Sequence, residues 1–280
     1  MQDELFAFQW AVYEGGHKWE NIRSGPYEPW VLRGIVVPGH DWPETFYNPL
    51  ESFPALHIIF ANIDASDRDS ILEFANLYGM LGLNHPRPGG GAFTTPSESH
   101  EHWKNEVWDM RQAVDLREMV RVGDVVGLNK FFSWNESGGC IYKNKCPWNT
   151  KPIDEIVPQR GISLLEGDVL MAARVRYAIL ANKKLRGESS AQLRIDPIAG
   201  REVVQVIPRT LLAALWLQFI RGVEGNHLYP KCKECQRPFA VSPEERGNRR
   251  SRKFCSDACK AKNYRARKAA ALVAKKRKGR

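Results

Sequence analysis

Apolar positions along the chain recur with two periods, and the helical one dominates. Trp103, Val107, Met110 and Val114 stand four, three and four residues apart, which predicts one apolar face of a long helix from about Pro96 to Val120. "DRDSILEFANLYGMLG" (67–82) predicts a second helix, with Asp67 or Asp69 as its cap and Gly79 and Gly82 at its end; Ile71, Leu72, Ala75 and Tyr78 lie near one face. A third helix is expected from about Leu165 to Leu185. A fourth, apolar nearly all round, is "RTLLAALWLQFIRG" (209–222), ending at Gly222. The run "PALHIIFANI" (54–63) reads either as a buried strand or as a short helix.

Alternating segments are shorter. Residues 4–13 and 30–37 read as strands between Gly/Pro-rich loops, and "AQLRIDP" and "REVVQVIP" flank "DPIAG" as a β-hairpin. Residues 85–99 are a loop by composition, and 132–152 look irregular. The expected fold class is α+β: a mainly helical body with a few short strands, then a C-terminal metal finger and basic helix. There is no internal repeat. The implied organisation is a body over 1–226, a finger over 227–268 and a basic tail over 269–280.

Charge divides the chain in the same place. Residues 231–280 carry 18 Lys/Arg against 4 Asp/Glu, and the first 230 carry 23 against 28, so +14 faces −5. All nine tryptophans lie in the acidic part. A basic segment on a mildly acidic body points to a polyanionic partner for that segment; the plainer reading is a solubilising terminus. "MQDELFAFQW" lacks the basic start of a secretory signal, and no run approaches the roughly 18 apolar residues of a membrane span, so a soluble, cytoplasmic protein without a membrane partner is expected. In a reducing compartment its six cysteines argue for metal rather than disulfides.

Four of the six are paired. Cys232 and Cys235 have two residues between them, Cys255 and Cys259 three, and nineteen separate the pairs. Close cysteine pairs each supply two corners of a tetrahedron, so Zn²⁺ is the expected cofactor. The C-x2-C turn and the start of a predicted helix, "SDACKAKNYRARKAAALVAKK", both aim backbone N–H groups at thiolates. A segment this polar has little core of its own, and metal binding is expected to supply much of its folding free energy.

"CKECQRPF…RKFCSDACKAKNYRAR" resembles bacterial treble-clef fingers that read C-x-x-C-G-x-x-F and then F-C-S-x-x-C-R-x-x-x-Y-R. It is also similar to the CGNR-type zinc finger, which follows an ABATE-type helical domain in stress-response transcription regulators. "FANI…ILEFANLYGMLG" and "LLAALWLQFIRG…PKCKEC" resemble that body loosely. In this chain Gln236 takes the place of the usual glycine after the first pair, and Gly247–Arg249 lie between the pairs rather than after Cys259. The resemblance implies a DNA-binding transcription regulator whose body senses a ligand or binds a partner.

Candidate nucleic-acid contacts are Arg249, Arg250, Arg252 and Lys253 before the second pair, and Lys260, Lys262, Arg265, Arg267 and Lys268 after it. Lys260, Tyr264, Arg267, Lys268 and Ala271 share one face of the predicted helix, with Lys262 and Arg265 on another side. Phosphate contacts follow from this composition; base reading does not. "HEH" (100–102) reads as surface histidines at a helix start, and Cys140 and Cys146 as buried or partly exposed thiols. There is no P-loop, dinucleotide fingerprint or HExxH, and residues 228–280 hold no histidine for a nuclease. Two other readings stand beside the nucleic-acid one. The first is an interaction protein in which the metal is a structural staple, and the second is an enzyme with its active site in the body.

Overall fold

A computed structural model of the chain describes residues 8–22, 30–35, 45–83, 97–144, 146–148, 154–158, 161–195, 200–242 and 251–278. Strands β1 (Trp10–Val12), β2 (His17–Asn21), β3 (Trp30–Gly34) and β4 (Thr45–Tyr47) come first. Helices α1 (Pro49–Ser52), α2 (Leu56–Ala61) and α3 (Arg68–Tyr78) follow, then β5 (Ser97–Ser99), α4 (His100–Val122) and α5 (Val125–Asn129). Next are β6 (Phe132–Trp134), β7 (Cys140–Tyr142), β8 (Asp154–Ile156), α6 (Val169–Leu185), the strands β9 (Ser189–Ile195) and β10 (Glu202–Pro208), α7 (Leu211–Glu224) and α8 (Asp257–Lys278). All strand pairs are antiparallel: β1 with β4, β2–β3–β5, β6–β7–β8, and β9 with β10.

The long helices begin where short polar side chains satisfy their first N–H groups. Asp67 accepts from the N–H groups of Asp69 and Ser70, Ser99 Oγ from His102 and Thr210 Oγ1 from Ala213. Gly79 closes α3 at a φ of 91°, and a Cβ there would meet the Ala11 carbonyl at 2.7 Å, so β1 can lie against the end of α3 only if the residue is glycine. The apolar spacing in α4 does what it predicts: Trp103, Val107 and Met110 are fully buried and Val114 half-buried.

Two cores share the body. In the larger, α2, α3, the first half of α4 and α7 meet around Phe60, Phe74, Trp103 and Trp216, with the Trp103 ring 6.1 Å from Phe60 and 6.0 Å from Phe74. In the smaller, the later part of α4, α5, the first half of α6 and the β6–β7–β8 sheet enclose Leu116, Leu128, Phe132, Tyr142 and Ile156. From Leu211 to Phe219 every residue of α7 is buried, which explains an apolar run that only Gln218 interrupts. A third cluster, Cys232, Phe239 and Val241, belongs to the finger.

The mixture of helix and strand agrees with the expected class, and several details differ. "PALHIIFANI" contains a helix, α2, and not a strand. The stretch 132–152 holds strands β6 and β7, each three residues long and too brief to show alternation. Strand β2 was not legible as one. Helix α7 runs to Glu224, past Gly222, which lies against the Tyr229 hydroxyl. Within "HEH", His102 is exposed, but His100 is buried with Nε2 3.1 Å from the Ala65 carbonyl and its ring edge-on to Trp19. Residues 1–7, 36–37, 84–96 and the turn 196–199 lie outside the described residues.

Trp103→Ala removes the largest side chain from the wall between α2, α3 and α4. The expected cost is about 3–5 kcal/mol of unfolding free energy, measured by urea titration.

Candidate metal centre

The sulfur-bearing groups of Cys232, Cys235, Cys255 and Cys259 lie within 4.8 Å of one another. The first pair sits on a turn held by the Gln236 N–H to the Cys232 carbonyl and the Cys232 N–H to the Arg237 carbonyl, both at 2.9 Å. Antiparallel bridges Leu228–Val241 and Lys231–Pro238 brace this turn from behind. The second pair brackets the start of α8, and the Lys233 N–H reaches the Lys253 carbonyl at 2.9 Å, knitting the two halves together. Gln236 has a φ of 60°, in the left-handed region where glycine is at ease. That conformation is held here by a bulkier side chain.

Electrostatics make the cluster demanding. Burial pushes the Cys232 thiol up, but backbone N–H groups of Cys235, Cys255 and Glu234 together bring it down to about 6. Burial and hydrogen bonding among the sulfurs push Cys255 up to about 12. Sulfurs at 3.6 Å (Cys235–Cys255) and 3.5 Å (Cys255–Cys259) cannot all be anionic without a cation between them. A tetrahedron with metal–sulfur distances near 2.3 Å has edges of about 3.8 Å, close to these separations. The donor set thus fits one metal ion with four soft ligands.

Around the sulfurs, charged residues have distinct tasks. Arg252 turns inward: its Nε donates to the Phe254 carbonyl at 2.8 Å, an Nη donates to the Cys255 carbonyl at 2.6 Å, and the guanidinium lies 5.5 Å from the Phe239 ring. It fastens the second knuckle and is half-buried, unlike a mobile phosphate contact. Glu234, inside the first knuckle, accepts from Asn263 Nδ2 at 3.2 Å and pairs with Lys262 Nζ at 3.2 Å, so it steers the first turns of α8. Lys253, Lys260, Lys262, Arg265, Arg267 and Lys268 are exposed, and Tyr264 is exposed beside them. Arg249 and Arg250 lie outside the described residues.

The finger is seated on the body through a buried polar joint. Arg117 of α4 donates to the carbonyls of Gly222 and His227, at 2.8 and 2.6 Å, and its guanidinium lies 5.8 Å from the Tyr229 ring. Tyr229 stands edge-on to His57 of α2 at 4.8 Å. The Gln218 Oε1 accepts from the His57 backbone N–H at 3.1 Å and lies 3.3 Å from His57 Nδ1, while Gln218 Nε2 donates to the Pro49 and Phe53 carbonyls. None of Arg117, Tyr229, His57 and Gln218 carries a sequence signal for its role; Gln218, a polar position in an apolar run, comes nearest. Cys140 and Cys146 are not members of the cluster. Cys140 is buried in the smaller core, its thiol pushed up to about 11 by burial, and Cys146 is half-buried with Sγ 3.8 Å from Asn105 Oδ1.

No family model matches the chain, and comparisons with curated proteins and with solved structures likewise give no match. Among the described residues, no helix is long and apolar enough to cross a membrane.

The joint has a pH signature. Burial, only partly opposed by the Gln218 contact and added to by the charges of Arg117 and His227, lowers the His57 pKa to about 3. An unfolded chain carries histidine near 6.5, so below that pH it binds more protons than the native state. The stability tied to His57 is therefore full above about pH 6.5 and lost as pH falls toward 3, at up to about 1.4 kcal/mol per unit. Between pH 7 and 5 this amounts to about 2 kcal/mol. Urea titrations at the two pH values should show that much less acid loss in His57→Gln than in the unaltered chain. Acid loss from the thiolates is common to both proteins.

Proposed function

We propose that this chain is a zinc-dependent nucleic-acid-binding protein, a DNA-binding regulator whose body senses a ligand or partner. The observation that supports it most is the junction at Cys255–Cys259, where a four-sulfur cluster sits at the first turn of an exposed basic helix. Zn²⁺ would be held by Cys232, Cys235, Cys255 and Cys259 and would serve as a structural cation that neutralises the crowded thiolates. The turn, its bracing bridges and the helix that opens on the second pair support reading this segment as a treble-clef finger, in keeping with the resemblance of the cysteine segment.

The helix supplies cations in a fixed frame. Lys260, Lys262, Arg265, Arg267 and Lys268 fall within the first dozen residues of α8, and its first turns are braced by Glu234. Held this way, the cations lose little freedom on meeting a row of phosphates. Arg252 serves this surface indirectly, by fixing the backbone from which α8 starts.

The experiment is duplex-DNA binding by the full chain across a salt series. About five phosphate contacts give a slope of log affinity on log salt near −4 to −5. Arg265→Ala with Arg267→Ala should reduce the magnitude of that slope by about 2. Metal analysis should find one zinc per chain, Cys255→Ser should lose it, and stripping the metal should abolish the helix-dependent part of binding. Stoichiometric zinc with no salt-dependent binding would leave the finger as a structural staple.

A further inference from the structure

Between the body and the finger runs a cleft of about 350 Å³, a volume at the lower end for a small-molecule site. Leu50 of α1 and the last turns of α7 form one wall, and Phe239 with the second knuckle, at Arg252 and Cys255, forms the other. Its charge has one sign. Arg221 and Arg252 line it, the His227 ring stands beside them, and no Asp or Glu does so among the described residues. Arg252 spends donors on the Phe254 and Cys255 carbonyls and is a fixed part of the wall. Arg221 differs: it is exposed, and among the described residues its guanidinium makes neither an ion pair nor a hydrogen bond, so its donors are open. The end of a helix ordinarily repels an anion through its bare carbonyls. Here those of Arg221, Gly222 and Val223 accept the N–H groups of Gly225, His227 and Asn226. Gln218, in the same cleft, has its amide committed to Pro49, Phe53 and His57. The strongest donor left to a guest is therefore Arg221.

We infer that this cleft binds a small organic anion, a carboxylate carried on a compact apolar group. The planar Arg221 fork matches the two carboxylate oxygens with paired N–H donors, and charge on both partners strengthens those bonds. Leu50 and Phe239 receive the apolar part. Arg252, held by the carbonyls of its own knuckle, adds positive potential from the finger side. A bound acid touches α7 and the second knuckle at once, so its occupancy is tied to the seating of the finger. The inference deepens the sensing part of the proposed function, on which it rests, and is independent of nucleic-acid binding.

Benzoate, titrated against the full chain without nucleic acid and followed by saturation-transfer NMR, tests the site. Saturable binding with a Kd at or below about 1 mM is expected. Benzamide keeps the ring without the charge and acetate the charge without the ring, and each should bind about tenfold more weakly or worse. Arg221→Gln should weaken benzoate by about tenfold or more at an unchanged urea midpoint, because this side chain is exposed and outside the joint. Arg221→Lys, with charge but no fork, should fall between. Arg265→Ala with Arg267→Ala should leave benzoate binding as it was. Should Arg221→Gln fold poorly, the comparison with benzamide and acetate still decides. No saturable benzoate binding up to about 10 mM, benzamide or acetate bound as tightly as benzoate, or an affinity untouched in folded Arg221→Gln would each overturn the inference. With nucleic acid absent throughout, failure of duplex binding and failure of this site are read separately.

Discussion

The amide of Gln218 is the knot on which the arrangement of body and finger depends. A glutamine in the most buried helix of the protein leaves four hydrogen-bonding positions to fill, and an unfilled one is costly. Here the amide nitrogen takes the carbonyls of Pro49, which opens α1, and Phe53, which caps its end before α2, and the oxygen faces the backbone nitrogen and Nδ1 of His57. Two short helices with little propensity of their own are thereby pinned to α7. His57, fixed in turn, offers its ring to Tyr229, and Tyr229 leads the chain into the cysteine cluster. A single polar side chain thus connects the packing of the body to the seat of the finger.

The finger adds a constraint of a different kind. Its apolar core is three residues deep, Cys232, Phe239 and Val241, and one of these is itself a metal ligand. Packing of that extent does not offset the ordering of some forty residues. Backbone N–H groups aimed at Cys232 favour a first thiolate, but proximity then penalises the others. The cluster thus gathers four soft ligands where their own charges oppose one another, an arrangement that suits a metal ion.

Helices, caps and ligand pairs could be read from the chain because each rests on a local pattern. Trp103, Val107 and Met110 follow the helical period, Asp67 is a short acceptor just before one, and the cysteines are close in sequence. The three-residue strands β6 and β7 had no room to display a period. The joint was illegible for another reason: Arg117, His57, Gln218 and Tyr229 come from distant segments, and only the fold brings them together. Arg252 shows the limit of charge counting. Its neighbours in sequence are equally basic, yet its guanidinium finds two carbonyls of its own knuckle, and nothing in the local composition distinguishes it from Lys253.

The brace between Glu234 and the start of α8 acts at the short end of a lever. From Cys259 to Lys278 the helix extends about 28 Å, so a change of 10° in the angle at which it leaves the cysteines swings its far end by about 5 Å. Glu234 holds Lys262 and Asn263 one turn beyond the pivot, where a small displacement is most amplified. The Glu234 side chain, sitting between the first two ligands, thereby governs the direction in which the helix axis leaves the cysteines.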